Sequence, residues 1–242
     1  MLLYLLINNF YRIGEIKTDT INDKKYDIIL PNEYGRKYTK RYKQYMYSDI
    51  EGLDGIPNWE LNNFGCGPCS MATILSSIGY DYDPVDVAKL MLLDEYGNLI
   101  DFYTNRSTGR LGMSTLGFLY LLQELNRSGK ADIDYRLVKY SYEHPELKKD
   151  EIIDMISDEY MALILVGPKG NPDHPKTFSN YGHYIAVTCV NSDNSEFYVA
   201  NPNKTGDNQI DSTYSYETLV SNMYTNTYDF LMVKNKSLVL KK

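Results

Sequence analysis

Tryptophan occurs once in the 242 residues, and histidine and cysteine three times each. An odd and sparse set of thiols cannot make a disulfide framework; it fits reduced cysteines, one of them reactive. That usage leans towards a cytoplasmic setting and leaves secretion open. Long apolar runs are also missing. No segment approaches the ~20 consecutive apolar residues that a bilayer-spanning helix needs. The opening Met1-Leu2-Leu3-Tyr4-Leu5-Leu6-Ile7 is apolar but short, and it lacks the basic flank and small-residue cleavage site of a secretory signal. It reads as an edge strand or as a start that packs on the domain. Positive charge is in deficit, with 25 Lys and Arg against 32 Asp and Glu, a net −7. The balance argues against a general affinity for nucleic acid, whose backbone recruits basic side chains. One local exception is Arg36-Lys37-Tyr38-Thr39-Lys40-Arg41-Tyr42-Lys43, where tyrosines interleave with cations. Stacking on bases is conceivable for such a run, and a solvated loop or helix face is the plainer expectation. Internal repeats and low-complexity tracts are absent.

What is present is the composition of a folded protein, 43% hydrophobic and 24% charged. Residues 1–56 read as an irregular lead-in with a polar turn at Asn22-Asp23, residues 57–235 as the folded domain, and residues 236–242 as a tail. Met71, Ile74, Leu75 and Ile78 recur at helical spacing, so an amphipathic helix is expected over residues 66–79, stopped by Gly79. Asp83-Pro84 caps a second helix through Met91, and a third runs from about Ser114 to Asn126. In the second half Ile133 to Val138 alternates as a strand, and Lys148 to Ile156 reads as a helix. Met161 to Val166 is a continuous apolar run that reads as a buried strand. Tyr181 to Val190 and Glu196 to Ala200 follow as a hairpin, then a short helix near Tyr216 to Ser221 and a last strand from Tyr228 to Val233. Helices first and an antiparallel sheet afterwards make an α+β layout.

The chemistry gathers at Asn63-Phe64-Gly65-Cys66-Gly67-Pro68-Cys69-Ser70, immediately before the first strong helix. A thiol at a helix N-terminus faces unpaired N–H groups and the positive end of the dipole, which lowers its pKa and favours the nucleophilic thiolate. The Cys66 N–H can serve as one donor to a developing oxyanion. Two other uses of Cys66-Gly67-Pro68-Cys69 compete. A redox pair normally follows a strand, which is missing here, and zinc needs more ligands than Cys189 and three unsuitably spaced histidines offer. No metal is expected. His144 and His174 sit beside prolines in polar stretches. His183 instead opens a strand, and Asn201-Pro202 ends the next one, so Asn201 returns close to it. A carboxamide there can accept from one imidazole nitrogen and leave the other facing the thiol, a Cys-His-Asn arrangement. The polar stretch Gly167 to Asn180 has the character of a lid.

Gly65-Cys66-Gly67-Pro68 with Ser70-Met71-Ala72 resembles the cysteine motif of the bacteriocin-processing, double-glycine leader peptidase-like family within the papain-like superfamily. Gly182-His183-Tyr184-Ile185-Ala186-Val187 resembles its histidine motif, and Asn201-Pro202 stands where the family carries Asp-Pro or Asn-Pro. Order and spacing agree over residues 57–235. The resemblance implies a papain-like fold with a helical half packed on an antiparallel sheet, a bacterial or phage source, and cleavage of a peptide or isopeptide bond through a thioester without a cofactor. Its substrate is then a peptide or a protein. The family places Gln about six residues before the nucleophile as a second oxyanion donor, whereas Glu60 stands there and accepts but cannot donate when ionised. Asn62 and Asn63 are the substitutes. If none serves, the same fold acts as a catalytically weakened binding module, and a thiol redox protein through Cys66 and Cys69 is the remaining alternative.

Overall fold

The computed structural model describes residues 16–21, 24–29, 41–47, 61–92, 114–139, 148–167, 177–179, 181–191, 196–203, 212–223 and 229–237. Strands β1 (Ile16–Ile21) and β2 (Lys24–Ile29) pair antiparallel with Ile16 opposite Ile29 and Ile21 opposite Lys24. Asn22 and Asp23, where the sequence marks a polar turn, lie outside the described residues. A 3-10 turn follows at Gln44–Tyr47. Helix α1 (Leu61–Phe64) leads into α2 (Cys66–Ser77), and α3 (Pro84–Leu92) and α4 (Thr115–Arg127) complete the helical half.

The second half is built on a six-stranded antiparallel sheet. Its strands are β3 (Ile133–Lys139), β4 (Met161–Val166), β5 (His183–Asn191), β6 (Glu196–Ala200), β7 (Ser212–Ser215) and β8 (Asp229–Asn235), in the spatial order β3-β8-β4-β5-β6-β7. Helix α5 (Lys149–Ser157) precedes β4, and α6 (Tyr216–Ser221) follows β7. The fold is α+β. Strand alternation divides the apolar side chains into two cores. Tyr184, Ala186, Ala200, Leu163 and Leu231 face α2, α3 and α4. Ile185, Val187, Val199, Ile164 and Phe230 face α5 and α6. Both faces are covered, which explains the unbroken apolar run Met161–Val166.

Helix α2 departs from the expected one-sided pattern. Gly67 through Ser76 are all buried, polar residues included. Ser70 Oγ donates to the Tyr184 carbonyl of β5 at 3.1 Å. Thr73 Oγ1 accepts from the Tyr42 N–H at 3.2 Å and donates to the Cys69 carbonyl at 2.9 Å. The sheet covers one side of α2, and residues 41–47 pack over another. Tyr42, Met46 and Tyr47 belong to the core, and Arg41 and Lys43 are only 1% and 4% exposed. The expectation of a solvated basic face therefore fails for Arg41 to Lys43. Tyr42, which stands between the two cations, is fully buried and carries their backbone into the core, while the Lys43 ammonium lies 5.9 Å from the ring centre of the exposed Tyr45.

Candidate active site

Gly65 ends the short helix α1 where its N–H donates to the Leu61 carbonyl at 2.8 Å. A side chain could not occupy that position, since a Cβ would lie 2.3 Å from the same oxygen. The turn delivers Cys66 as the first residue of α2. Helix starts leave backbone donors without an intrahelical acceptor. Here Pro68 has no N–H, the Cys69 N–H returns to the Gly65 carbonyl at 2.9 Å, and the Cys66 and Gly67 N–H groups face the Cys66 thiol. The Tyr184 N–H of β5 also faces it. One residue of the sheet thus touches α2 twice, through its N–H at Cys66 and its C=O at Ser70.

Cys66 is half-buried, whereas Cys69 and Cys189 are buried, and all three are free thiols. The sequence argument anticipates a lowered thiol pKa. Burial instead pushes the Cys66 thiol up, and the three N–H groups offset only part of that. Cys69 is pushed further, by burial and by the neighbouring Cys66 and Asp83.

His183 is the first residue of β5, paired with Val166 of β4, and only 5% exposed. Gly167 controls its approach. A Cβ there would lie 2.8 Å from the Tyr181 carbonyl oxygen and 3.0 Å from the Gly182 Cα. Asn201 follows β6, whose register sets Ala200 opposite Ala186. By alternation His183 and Asn201 fall on one face of the sheet, and their side chains meet, with His183 Nε2 2.8 Å from Asn201 Oδ1. The Asn203 N–H donates to the same oxygen at 3.0 Å. Both contacts require an acceptor, so the carboxamide is oriented and Nε2 carries the imidazole proton. Nδ1 is left as the basic nitrogen. Burial lowers the His183 pKa to about 4, and the Asn201 bond opposes that only in part. Burial thus favours the neutral form of each group, the thiol at Cys66 and the imidazole at His183.

The model of the Peptidase_C39 like family matches residues 53–231, which carry both cysteine and histidine motifs. The chain belongs to that family. No curated protein matches it. Membership of that family suggests a cysteine peptidase.

Asn62 lies in α1, half-buried, with its Oδ1 enclosed and without a hydrogen-bond partner. Asn63 is exposed. Glu60, Trp59, His144, His174, the strand expected at residues 1–7 and most of the stretch expected to form a lid lie outside the described residues. Among the described residues no group of three or more His, Cys, Asp or Glu is placed to hold a metal ion, and no helix is long and apolar enough to cross a membrane. Two contributors were not legible in the sequence. The Tyr184 donor is a backbone group without a residue-type signature. Gln44, whose side chain reaches the Asn62 carbonyl at 3.3 Å, lies in a tyrosine-rich run that carries no catalytic pattern.

Proposed function

We propose that this protein is a cysteine peptidase that hydrolyses a peptide or isopeptide bond, with Cys66 as nucleophile, His183 as base and Asn201 as the residue that orients the imidazole. The observation that carries the reading is the 2.8 Å contact between His183 Nε2 and Asn201 Oδ1, which fixes the tautomer and leaves Nδ1 free to take a proton. His183 Nδ1 removes the thiol proton, and the sulfur attacks the substrate carbonyl carbon. The imidazolium returns that proton to the leaving amine, and a thioester remains on Cys66. Water, deprotonated by His183, then attacks the thioester, releasing the acid and restoring the thiol. Each proton taken is given back, and no cofactor takes part. The Cys66 N–H serves the oxyanion. Asn62 is the better second donor, because it is half-buried beside the helix start while Asn63 points outward. Peptides or proteins are the substrates.

A second reading is a catalytically weakened binding module on the same fold. The raised thiol and lowered imidazole favour it, because the resting pair is not an ion pair. Iodoacetamide labelling with peptide mapping decides between them. For a peptidase, Cys66 labels far faster than Cys69 or Cys189 near neutral pH, and His183→Ala slows it at least about a hundredfold, the low end of a positioned base's contribution. Equal labelling of all three cysteines removes the nucleophile assignment. Slow Cys66 labelling that ignores His183→Ala leaves the binding module.

A further inference from the structure

Residues 41–47 lie upstream of the span that matches the family model, yet they touch both halves of the site. The Gln44 N–H donates to the Pro202 carbonyl at 3.1 Å, one residue beyond Asn201. The Gln44 side-chain amide donates to the Asn62 carbonyl at 3.3 Å, in the short helix that delivers Cys66. Tyr42, two residues earlier, fastens the same segment to α2 through Thr73. Gln44 is only 5% exposed, so neither bond competes freely with water.

We propose that Gln44 is a positioning residue that sets the distance between the nucleophile and the base, by tying the Asn201-Pro202 corner to the turn before Cys66. The inference rests on the Cys66–His183–Asn201 reading above. Asn201 is placed by its own backbone, and the carbonyl of Pro202, the next residue, is held by the Gln44 N–H. His183 in turn takes its orientation from Asn201. On the other side Asn62 lies in the helix that closes at Gly65, so fixing its carbonyl fixes the residue before the nucleophile. One side chain and its own N–H therefore bridge the helical half and the sheet. Proton transfer between thiol and imidazole depends steeply on their separation; a misplacement of about 1 Å costs on the order of 10²-fold.

The test is the pH dependence of Cys66 alkylation in the full chain, measured together with Tm. The variants are Gln44→Met, which keeps the volume without a donor, and Gln44→Glu, which keeps the shape and accepts rather than donates. Thr73→Val loosens the same segment without touching the bridge. Both Gln44 variants should slow Cys66 labelling near neutral pH by about 10- to 100-fold, towards the rate of His183→Ala. Thr73→Val should lower Tm and leave the profile as in the wild type. Gln44 variants that lose Tm but label as the wild type, while His183→Ala labels slowly, overturn the proposal and make Gln44 a structural residue only. A His183→Ala chain that labels as the wild type overturns the Cys66–His183 reading itself, and the role of Gln44 with it.

Discussion

Enclosing His183 has a consequence away from chemistry. Its pKa falls from 6.5 to about 4 on folding, because burial penalises the imidazolium. Between those values the unfolded chain binds the proton and the folded chain does not. Stability is therefore full above about pH 6.5 and declines as pH falls towards 4, by at most about 1.4 kcal/mol per pH unit. Urea midpoints measured from pH 7 to pH 4 should fall more steeply for the wild type than for His183→Gln, and parallel curves would refute the neutral buried imidazole. Gly167 offers a second residue-level check. The atoms a new Cβ meets there belong to the Tyr181 and Gly182 backbone and cannot swing aside. Gly167→Ala should cost about 1–3 kcal/mol from overpacking. It should also reduce Cys66 reactivity disproportionately, because the displaced chain leads directly into His183. Unchanged alkylation with a lowered Tm would show that the strand start absorbs the strain.

Helix α3 shows how far local signals reach. Asp83 Oδ1 accepts from the Asp86 N–H at 2.8 Å, and Asp86 Oδ2 accepts from the Asp83 N–H at 3.1 Å, a reciprocal cap on a helix that opens with Pro84. Asp83→Ala should lower stability by about 1–2 kcal/mol, read as a drop of several degrees in Tm by calorimetry. A shift under one degree would mean that Pro84 alone sets the helix start. This cap was legible because its residues are neighbours in sequence. Met161–Val166, Glu196–Ala200 and Tyr216–Ser221 were legible for the same reason, as was the meeting of His183 with Asn201, which needs only a hairpin. What depends on distant partners was not. An amphipathic helix is what Met71, Ile74, Leu75 and Ile78 predict for α2, and the burial of its polar residues Ser70 and Thr73 rests on the Tyr184 carbonyl and the Tyr42 N–H, far away in the chain. Strand β7 is Ser-Thr-Tyr-Ser, without the alternation that marks a half-buried strand, and it pairs with β6 at the sheet's edge. The thiol's pKa was misjudged because a helix start is visible in sequence and enclosure is not.

Across the whole molecule, the helical half shares one of the two cores with one face of the sheet, and residues 41–47 are part of it. A chain begun at residue 53, where the family match starts, loses the buried Tyr42, Met46 and Tyr47. Compared with a chain begun at residue 41, it should be less stable by at least about 3 kcal/mol, the scale of a single large core truncation. Equal denaturation midpoints would show that these side chains cover the core without stabilising it.

The order of the sheet also dictates a schedule. Strand β8 lies between β3 and β4, although the chain makes it last of the three, and among the described strands it is the one that pairs with β3. A ribosome therefore delivers β3 and β4 well before the strand that joins them. Until Phe230 to Val233 has emerged, both hold open hydrogen-bonding edges, the form of nascent chain most exposed to wrong pairing. Cys66 and His183 are synthesised before β8 and wait on an unfinished sheet. The sheet that carries His183 is thus expected to close only after translation has passed β8.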